Sequence, residues 1–229
     1  MARWNRRLAV PVLAGAALAL MAAPAMAQQA PAAAATAPAP AATPVEYAYV
    51  AMVTSEGTIV LALDKTHAPL TTANFLKYVD GKKFDGTTFY RSMHLDWGDT
   101  PAGLVQGGLQ GIKVLPPVAH EPTSQTGLHH TSGTISMARY APGTATADFT
   151  IMVGDVVTLD ANPSSDNPEF KAGFAAFGHV VSGMDVVHKI WDAPRSATKG
   201  EGVMRGQMLD PPVKIVSARR VPAPPTPAQ

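Results

Sequence analysis

The 229-residue sequence predicts a mainly β fold, a closed eight-stranded antiparallel barrel capped by two α-helices. Three observations lead there. Short β-prone runs recur eight times between Val45 and Val221, separated by turn-forming residues. Only two stretches carry a helical period, and they lie far apart. The elements do not alternate in the regular βαβ order of a doubly wound sheet, so a barrel plugged by the two helices fits better.

Each element has a local reason. EYAYVAMVT (46–54) and TIVLALD (58–64) flank the turn SEG and read as a hairpin. A helix follows inside HAPLTTANFLKYVDGKKFDG (67–86). Pro69 suits its first turn, Phe75, Leu76 and Val79 form one apolar face, and Gly81 is expected to take a left-handed stop. Five further strands are expected in TTFYRSM (87–93), GLVQG (103–107), GTISMAR (133–139), FTIMVGD (149–155) and GFAAFGHVV (173–181). The second helix lies in SGMDVVHKIWDA (182–193). Ser182 and Asp185 resemble a capping box there, and Met184, Val187, Ile190 and Trp191 make the buried stripe. PVKIVSARRV (212–221) supplies the last strand.

Three segments flank this domain of residues 45–221. MARWNRR is basic, LAVPVLAGAALALMAA is apolar and AMA is a small-residue site, so residues 1–27 read as a secretory signal peptide cleaved after Ala27. The apolar run is short for a membrane span, and no transmembrane segment is expected after it. Residues 28–44 (QQAPAAAATAPAPAATP) are an alanine- and proline-rich linker, and residues 222–229 are a proline-rich tail. The expected location is the periplasm, by a Sec or a twin-arginine route.

Charge and composition exclude several function classes. Losing Arg3, Arg6 and Arg7 leaves 15 of the 18 basic residues against 17 acidic ones, so the mature chain carries about −2. Nucleic-acid binding wants a concentrated basic face, which is absent. The chain has no cysteine, which removes disulfides, thiolate catalysis and cysteine-based zinc sites. AHEPTSQTGLHH invites a metal reading. Pro122 breaks any helix that would display His120 and Glu121 together, however, and His129 and His130 are awkward neighbours as ligands, so these histidines are expected to make ordinary hydrogen bonds. No metal and no cofactor is expected. Nucleophile-elbow, P-loop and dinucleotide patterns are missing, and no paired nucleophile and base stands out for a hydrolase.

One stretch asks for chemistry. FYRSMHLDWGDTPAGLVQGG (89–108) sets an arginine among aromatics, then a glutamine before two glycines. GTTFYR, VQGG, GTISMAR, ADFTIMVGD and FGHVVSGMDVVHKI stand in the order found in cyclophilins, the peptidyl-prolyl cis–trans isomerases, and the chain resembles their bacterial exported branch over nearly all of residues 47–221. The resemblance implies a barrel of eight strands closed by two helices, and an isomerase of X–Pro bonds in exported proteins. Arg91 matches the family's catalytic arginine, which bonds the prolyl nitrogen. Gln106 matches the glutamine that binds the substrate backbone. Ala138 and Arg139 fall on the peptide-contacting edge, and Phe174 aligns with an aromatic or histidine of the proline pocket. Phe89, Phe149 and Phe177 are assigned to the barrel interior.

The chain departs from the family pattern at three places. Gly103 and Leu104 stand where a phenylalanine and a methionine face the proline ring, and Trp97, in a lengthened interval, is a candidate to fill the gap. Asp148 replaces a peptide-binding glutamine and Thr150 a pocket phenylalanine. The loop tryptophan has only Phe170 nearby. The partners expected are proline-containing unfolded or loop segments, bound by a monomer. The alternative is a non-catalytic peptide-binding or chaperone module on the same fold, favoured by Gly103, Asp148 and Thr150.

Overall fold

The computed structural model describes residues 44–95 and 100–225. The expected signal peptide, most of the linker, Trp97 and the end of the tail lie outside the described residues. Eight strands run β1 (Tyr47–Thr54), β2 (Gly57–Asp64), β3 (Thr88–Leu95), β4 (Ala102–Gly108), β5 (Thr134–Met137), β6 (Phe149–Val153), β7 (Ala176–Ser182) and β8 (Met208–Val221). They close into one antiparallel barrel in the order β1-β2-β7-β5-β6-β4-β3-β8. Helices α1 (Pro69–Asp80) and α4 (Met184–Trp191) are the two expected from the sequence. Two one-turn helices, α2 (Thr123–Thr126) and α3 (Pro168–Ala172), were too short to leave a periodic signal.

Alternation of side chains along the strands builds the core. Val50 and Met52, Ile59, Leu61 and Leu63, Ile135 and Met137, and Ile151 and Val153 all point inward and are buried. Phe75 and Val79 of α1 and Val187 and Ile190 of α4 pack against them. Phe149 is packed edge-on by Phe75, Phe84 and Phe89, with ring centroids 5.5–5.6 Å apart and planes at 82–84°. That is the preferred geometry for aromatic pairs. Phe89, Phe149 and Phe177 are fully buried, where the sequence put them.

Both helix ends differ from the sequence reading. Gly81 has φ −76°, and Lys82 takes the left-handed turn at φ 54°. The Ser182–Asp185 capping box does not form: Ser182 ends β7, and Gly183 at φ 89° starts α4 with no side-chain cap. The N-terminus of α1 is capped from a distance. The buried Glu121 carboxylate accepts from Leu70 N (3.1 Å), Thr71 N (2.7 Å) and Thr71 Oγ1 (2.6 Å). A carboxylate there satisfies orphan amides and meets the positive end of the helix dipole.

Candidate functional site

Register across β3, β4, β6 and β5 sets Arg91, Gln106, Thr150 and Ser136 in one row. The row faces out of the barrel, since Val105 and Phe149 beside it face in. Phe89 and Arg91 are two residues apart and would normally share a face. A β-bulge between them shifts the register, so Phe89 joins the core while Arg91 turns outward opposite Gln106.

The half-buried Arg91 guanidinium is tied at three atoms. Nε donates to Gln207 Oε1 at 2.8 Å, Nη1 to Gln106 Oε1 at 2.8 Å, and Nη2 to Met93 Sδ at 3.4 Å. Burial lowers its pKa from the ordinary guanidinium value, with Tyr90 acting in the opposite sense. Among the described residues no carboxylate pairs with it, so its charge is held by amide dipoles.

A second chain of bonds leads away from Gln106. Its Nε2 donates to Tyr90 Oη at 2.7 Å, and the Tyr90 hydroxyl lies 3.4 Å from Asp148 Oδ1. Burial, and next the Asp148 charge, push the Tyr90 pKa far up, so it stays a neutral donor. Asp148 Oδ1 also accepts from Gln110 N at 2.9 Å. Burial raises the Asp148 pKa, against the backbone amides of Leu109, Gln110 and Gly111, which favour the anion. A Cβ at Gly108 would run into this carboxylate. The side chain that stands in the place of a peptide-binding glutamine is therefore turned under the 108–111 turn.

The apolar side of the site is a satellite cluster. Leu104, Ala102, Met152 and Val156 are buried together, with Met93, Leu95 and Leu159 packed on them. Met93 and Met152 flank Leu104 on the neighbouring strands, next to the Arg91–Gln106 pair. Gly103 lies on the other face of β4 from Leu104, and no gap opens there. A Cβ there would collide with the Met93 carbonyl oxygen and press on Trp191 Nε1, which donates to that same oxygen at 2.9 Å. The glycine is there because the β3 backbone at Met93 comes too close for any side chain, with the Trp191 indole behind it.

Thr150 is buried, its Oγ1 3.4 Å from the Ser136 carbonyl oxygen. Behind it the fold assembles Ser136, His130 and Asp160, a grouping that the sequence reading missed. His130 Nε2 lies 2.8 Å from Ser136 Oγ and Nδ1 2.6 Å from Asp160 Oδ1, while His129 Nδ1 takes Asp160 Oδ2 at 2.8 Å. Burial lowers the His130 pKa, which outweighs the pull of Asp160, so the imidazole is neutral near pH 7. Burial of Asp160 acts in the raising direction but is overcome by the His130 and His129 hydrogen bonds, which hold it below the ordinary carboxylate value. The arrangement has the order of a hydrolase triad. Ser136 is 1% exposed and His130 0%, so no scissile carbonyl reaches the hydroxyl, and the cluster braces β5 against the 156–160 loop.

Arg139 and Phe174 are brought together at the far end. The Arg139 side chain is 1% exposed; Nη1 donates to Glu169 Oε2 (2.8 Å) and Tyr140 O (3.0 Å), and Nη2 to Gly173 O (2.5 Å). Its Cζ sits 4.5 Å from the centroid of the half-buried Phe174 ring, a cation–π contact. Arg139 thus anchors α3 and seats Phe174. Ala138 gives its N–H to Asp148 O at 2.9 Å, which locks the end of β5 to the start of β6. Among the described residues no group of three or more histidine, aspartate or glutamate side chains is placed to hold a metal ion, and no helix is long and apolar enough to cross a membrane. His120 Nε2 lies 2.9 Å from Ala172 O.

Gln207 and Tyr90 are the site residues that sequence reading missed. Gln207 lies 116 residues beyond Arg91 in a loop without periodicity, and nothing short-range marks it. Tyr90 sits inside the FYR motif, and the signal was the same motif that identified Arg91.

Comparison with known proteins places the chain in a family. Residues 49–220 match the model of the cyclophilin type peptidyl-prolyl cis-trans isomerase family. The chain is 35% identical over 176 residues to a peptidyl-prolyl cis-trans isomerase of Acinetobacter baylyi, covering 74% of this chain and 84% of that protein. It is 38% identical over 148 residues to peptidyl-prolyl cis-trans isomerase A of Dickeya dadantii, covering 62% and 70%. In structure it is similar to a Cryptosporidium parvum cyclophilin type isomerase, with TM-score 0.58 and 17% identity, over 78% of this chain and all of that one.

Proposed function

The chain belongs to the cyclophilin-type peptidyl-prolyl cis–trans isomerases, and on that premise we propose that Arg91 drives the isomerisation by bonding the prolyl nitrogen as the X–Pro bond twists. Amide resonance opposes the rotation with a barrier of roughly 18–20 kcal/mol. As the bond turns, conjugation is lost and the nitrogen becomes pyramidal, with a lone pair free to accept. A fixed N–H donor then binds the twisted state and has nothing to bind in the planar one, which is stabilisation specific to the transition state.

The geometry around Arg91 carries this reading. A guanidinium has five N–H donors. Three hold Arg91 to Gln207, Gln106 and Met93, which leaves two for a substrate. Gln106 uses its carbonyl on Arg91 and one amide hydrogen on Tyr90, so its second amide hydrogen is available to a substrate carbonyl. Met93, the half-buried member packed on Leu104, supplies apolar surface for the proline ring. The extended peptide follows the edge near Ala138, with Phe174 at its border and Thr150 leaving a wider, less apolar floor than an aromatic. A ~10⁵-fold acceleration requires about 7 kcal/mol from the hydrogen bond, desolvation and clamping together.

The peptide-holding alternative rested on three departures, and two have a local structural cause: the Met93 carbonyl at Gly103 and the 108–111 turn at Asp148. We assign the enzyme to the periplasm as a member of the exported bacterial branch, acting as a monomer on proline-containing segments of exported proteins. The basic, apolar and AMA segments of residues 1–27 support this. Intact mass of protein from a periplasmic fraction is expected to start at Gln28, and a retained Met1 refutes export with cleavage. A protease-coupled isomerisation assay on a series of X–Pro peptides tests the catalytic reading. The rate is expected to rise in proportion to enzyme. Peptide binding with no acceleration overturns the reading in favour of a holding module.

A further inference from the structure

Arg91 is gripped from two sides, and only one grip belongs to the strand pair that carries it. Gln106 lies opposite it on β4. The other acceptor, Gln207, comes from the 193–207 loop between α4 and β8. We propose that Gln207 is a positioning residue for the isomerisation, setting the plane of the Arg91 guanidinium; this rests on Arg91 being the catalytic group.

The Gln106 bond at Nη1 and the long thioether contact at Nη2 hold only one edge of the guanidinium. A second bond at Nε, 2.8 Å from Gln207 Oε1, fixes its plane and therefore the direction of the N–H groups left for the substrate. The Gln207 amide has only one workable orientation. Arginine donates and never accepts, so it must face the amide oxygen, and the amide nitrogen donates to the Val203 carbonyl at 2.8 Å.

The loop itself is built to hold that amide in place. Ser92 N donates to Gln207 O at 2.9 Å, which joins residue 207 to β3 directly after Arg91. Gln207 N bonds Met204 O at 3.1 Å, closing the turn below it. Further along, Ser196 N bonds Met208 O at 2.8 Å, Asp210 N bonds Pro194 O at 2.9 Å, and Lys199 pairs with Asp210 at 2.9 Å. The two arms of the loop are zipped together, so Gln207 is presented by a braced segment. Small misplacements of a catalytic group cost large factors in rate, up to ~10²-fold for about 1 Å.

The test is a double-mutant cycle of Gln207→Leu, which is one bond shorter and removes the acceptor, with Arg91→Ala, read as kcat/KM in an X–Pro assay. Gln207→Leu is expected to lower the rate about tenfold with Arg91 present and less than twofold in the Arg91→Ala background, since effects through one group are not additive. The Arg91 Nε–Hε NMR signal is expected to exchange faster with water in Gln207→Leu. Equal losses in both backgrounds, or an unchanged Nε–Hε signal, overturn the proposal. Should Gln207→Leu not fold, Gln207→Asn, whose shorter side chain falls short of Nε, runs the same cycle. If Arg91→Ala alone keeps full activity, it is the catalytic reading of Arg91 that has failed, and the Nε–Hε signal still reports whether Gln207 holds the side chain.

Discussion

The two faces of the same strands obey different rules. Along β3, β4 and β6 the inward side carries Phe89, Val105, Phe149 and Ile151, whose contacts are apolar and non-directional. The outward side carries Arg91, Gln106 and Thr150, backed by Tyr90, Asp148, Ser136 and His130, whose contacts depend on distance and angle. Burial energy scales with area, so the inner face dominates stability. The outer face adds hydrogen bonds whose net worth is about 1 kcal/mol each, but which fix atoms in place. Fold and chemistry are therefore separable by mutation, although they share a backbone.

The largest expected effect is on the inner face. Phe84→Ala removes a fully buried ring packed on Phe75, Tyr78 and Phe149. It should cost about 3–5 kcal/mol of stability in denaturant unfolding, while kcat/KM of the folded protein stays within about twofold. A selective loss of activity would break the separation. An intermediate effect comes from the buried His130. Its folded pKa lies below the ordinary 6.5, so between those values the unfolded chain binds more protons than the folded one. Stability should rise with pH across that window and be lost as pH falls through it, by at most about 1.4 kcal/mol per pH unit. Melting curves from pH 4 to 8 check this, and His130→Asn should flatten the slope. The smallest effect is at Asp148. Its carboxylate faces the 108–111 turn, so the preference between Lys and Glu before proline should change by under about 1 kcal/mol in Asp148→Gln. A large change would return Asp148 to the groove.

This contrast also explains what the sequence disclosed. The eight strands, both long helices and the three interior phenylalanines follow from alternation and periodicity, which are local. Arg91 and Gln106 stood out through ordered motifs in one stretch. Glu121 capping α1 from 50 residues away, Gln207 reaching Arg91 across 116, and the Ser136–His130–Asp160 grouping depend on which loops the closed barrel brings together, and no window of sequence contains them. The bulge that turns Arg91 outward is equally hidden, since strict alternation from Phe89 would bury it. Gly103 illustrates the reverse error: a gap in a motif proved to be a close approach of the Met93 carbonyl, with Trp191 behind it.

The most direct test measures kcat/KM and melting temperature on the same preparation of Arg91→Ala. Arg91 is held by two glutamine amides and a thioether on the outer face, outside the aromatic core. The account predicts a fall in kcat/KM of at least about tenfold, equivalent to about 1.4 kcal/mol of transition-state stabilisation, with a melting temperature within about 2–4 °C of wild type. Full isomerase activity together with a markedly lowered melting temperature would contradict it, and would make Arg91 a structural residue of the barrel wall.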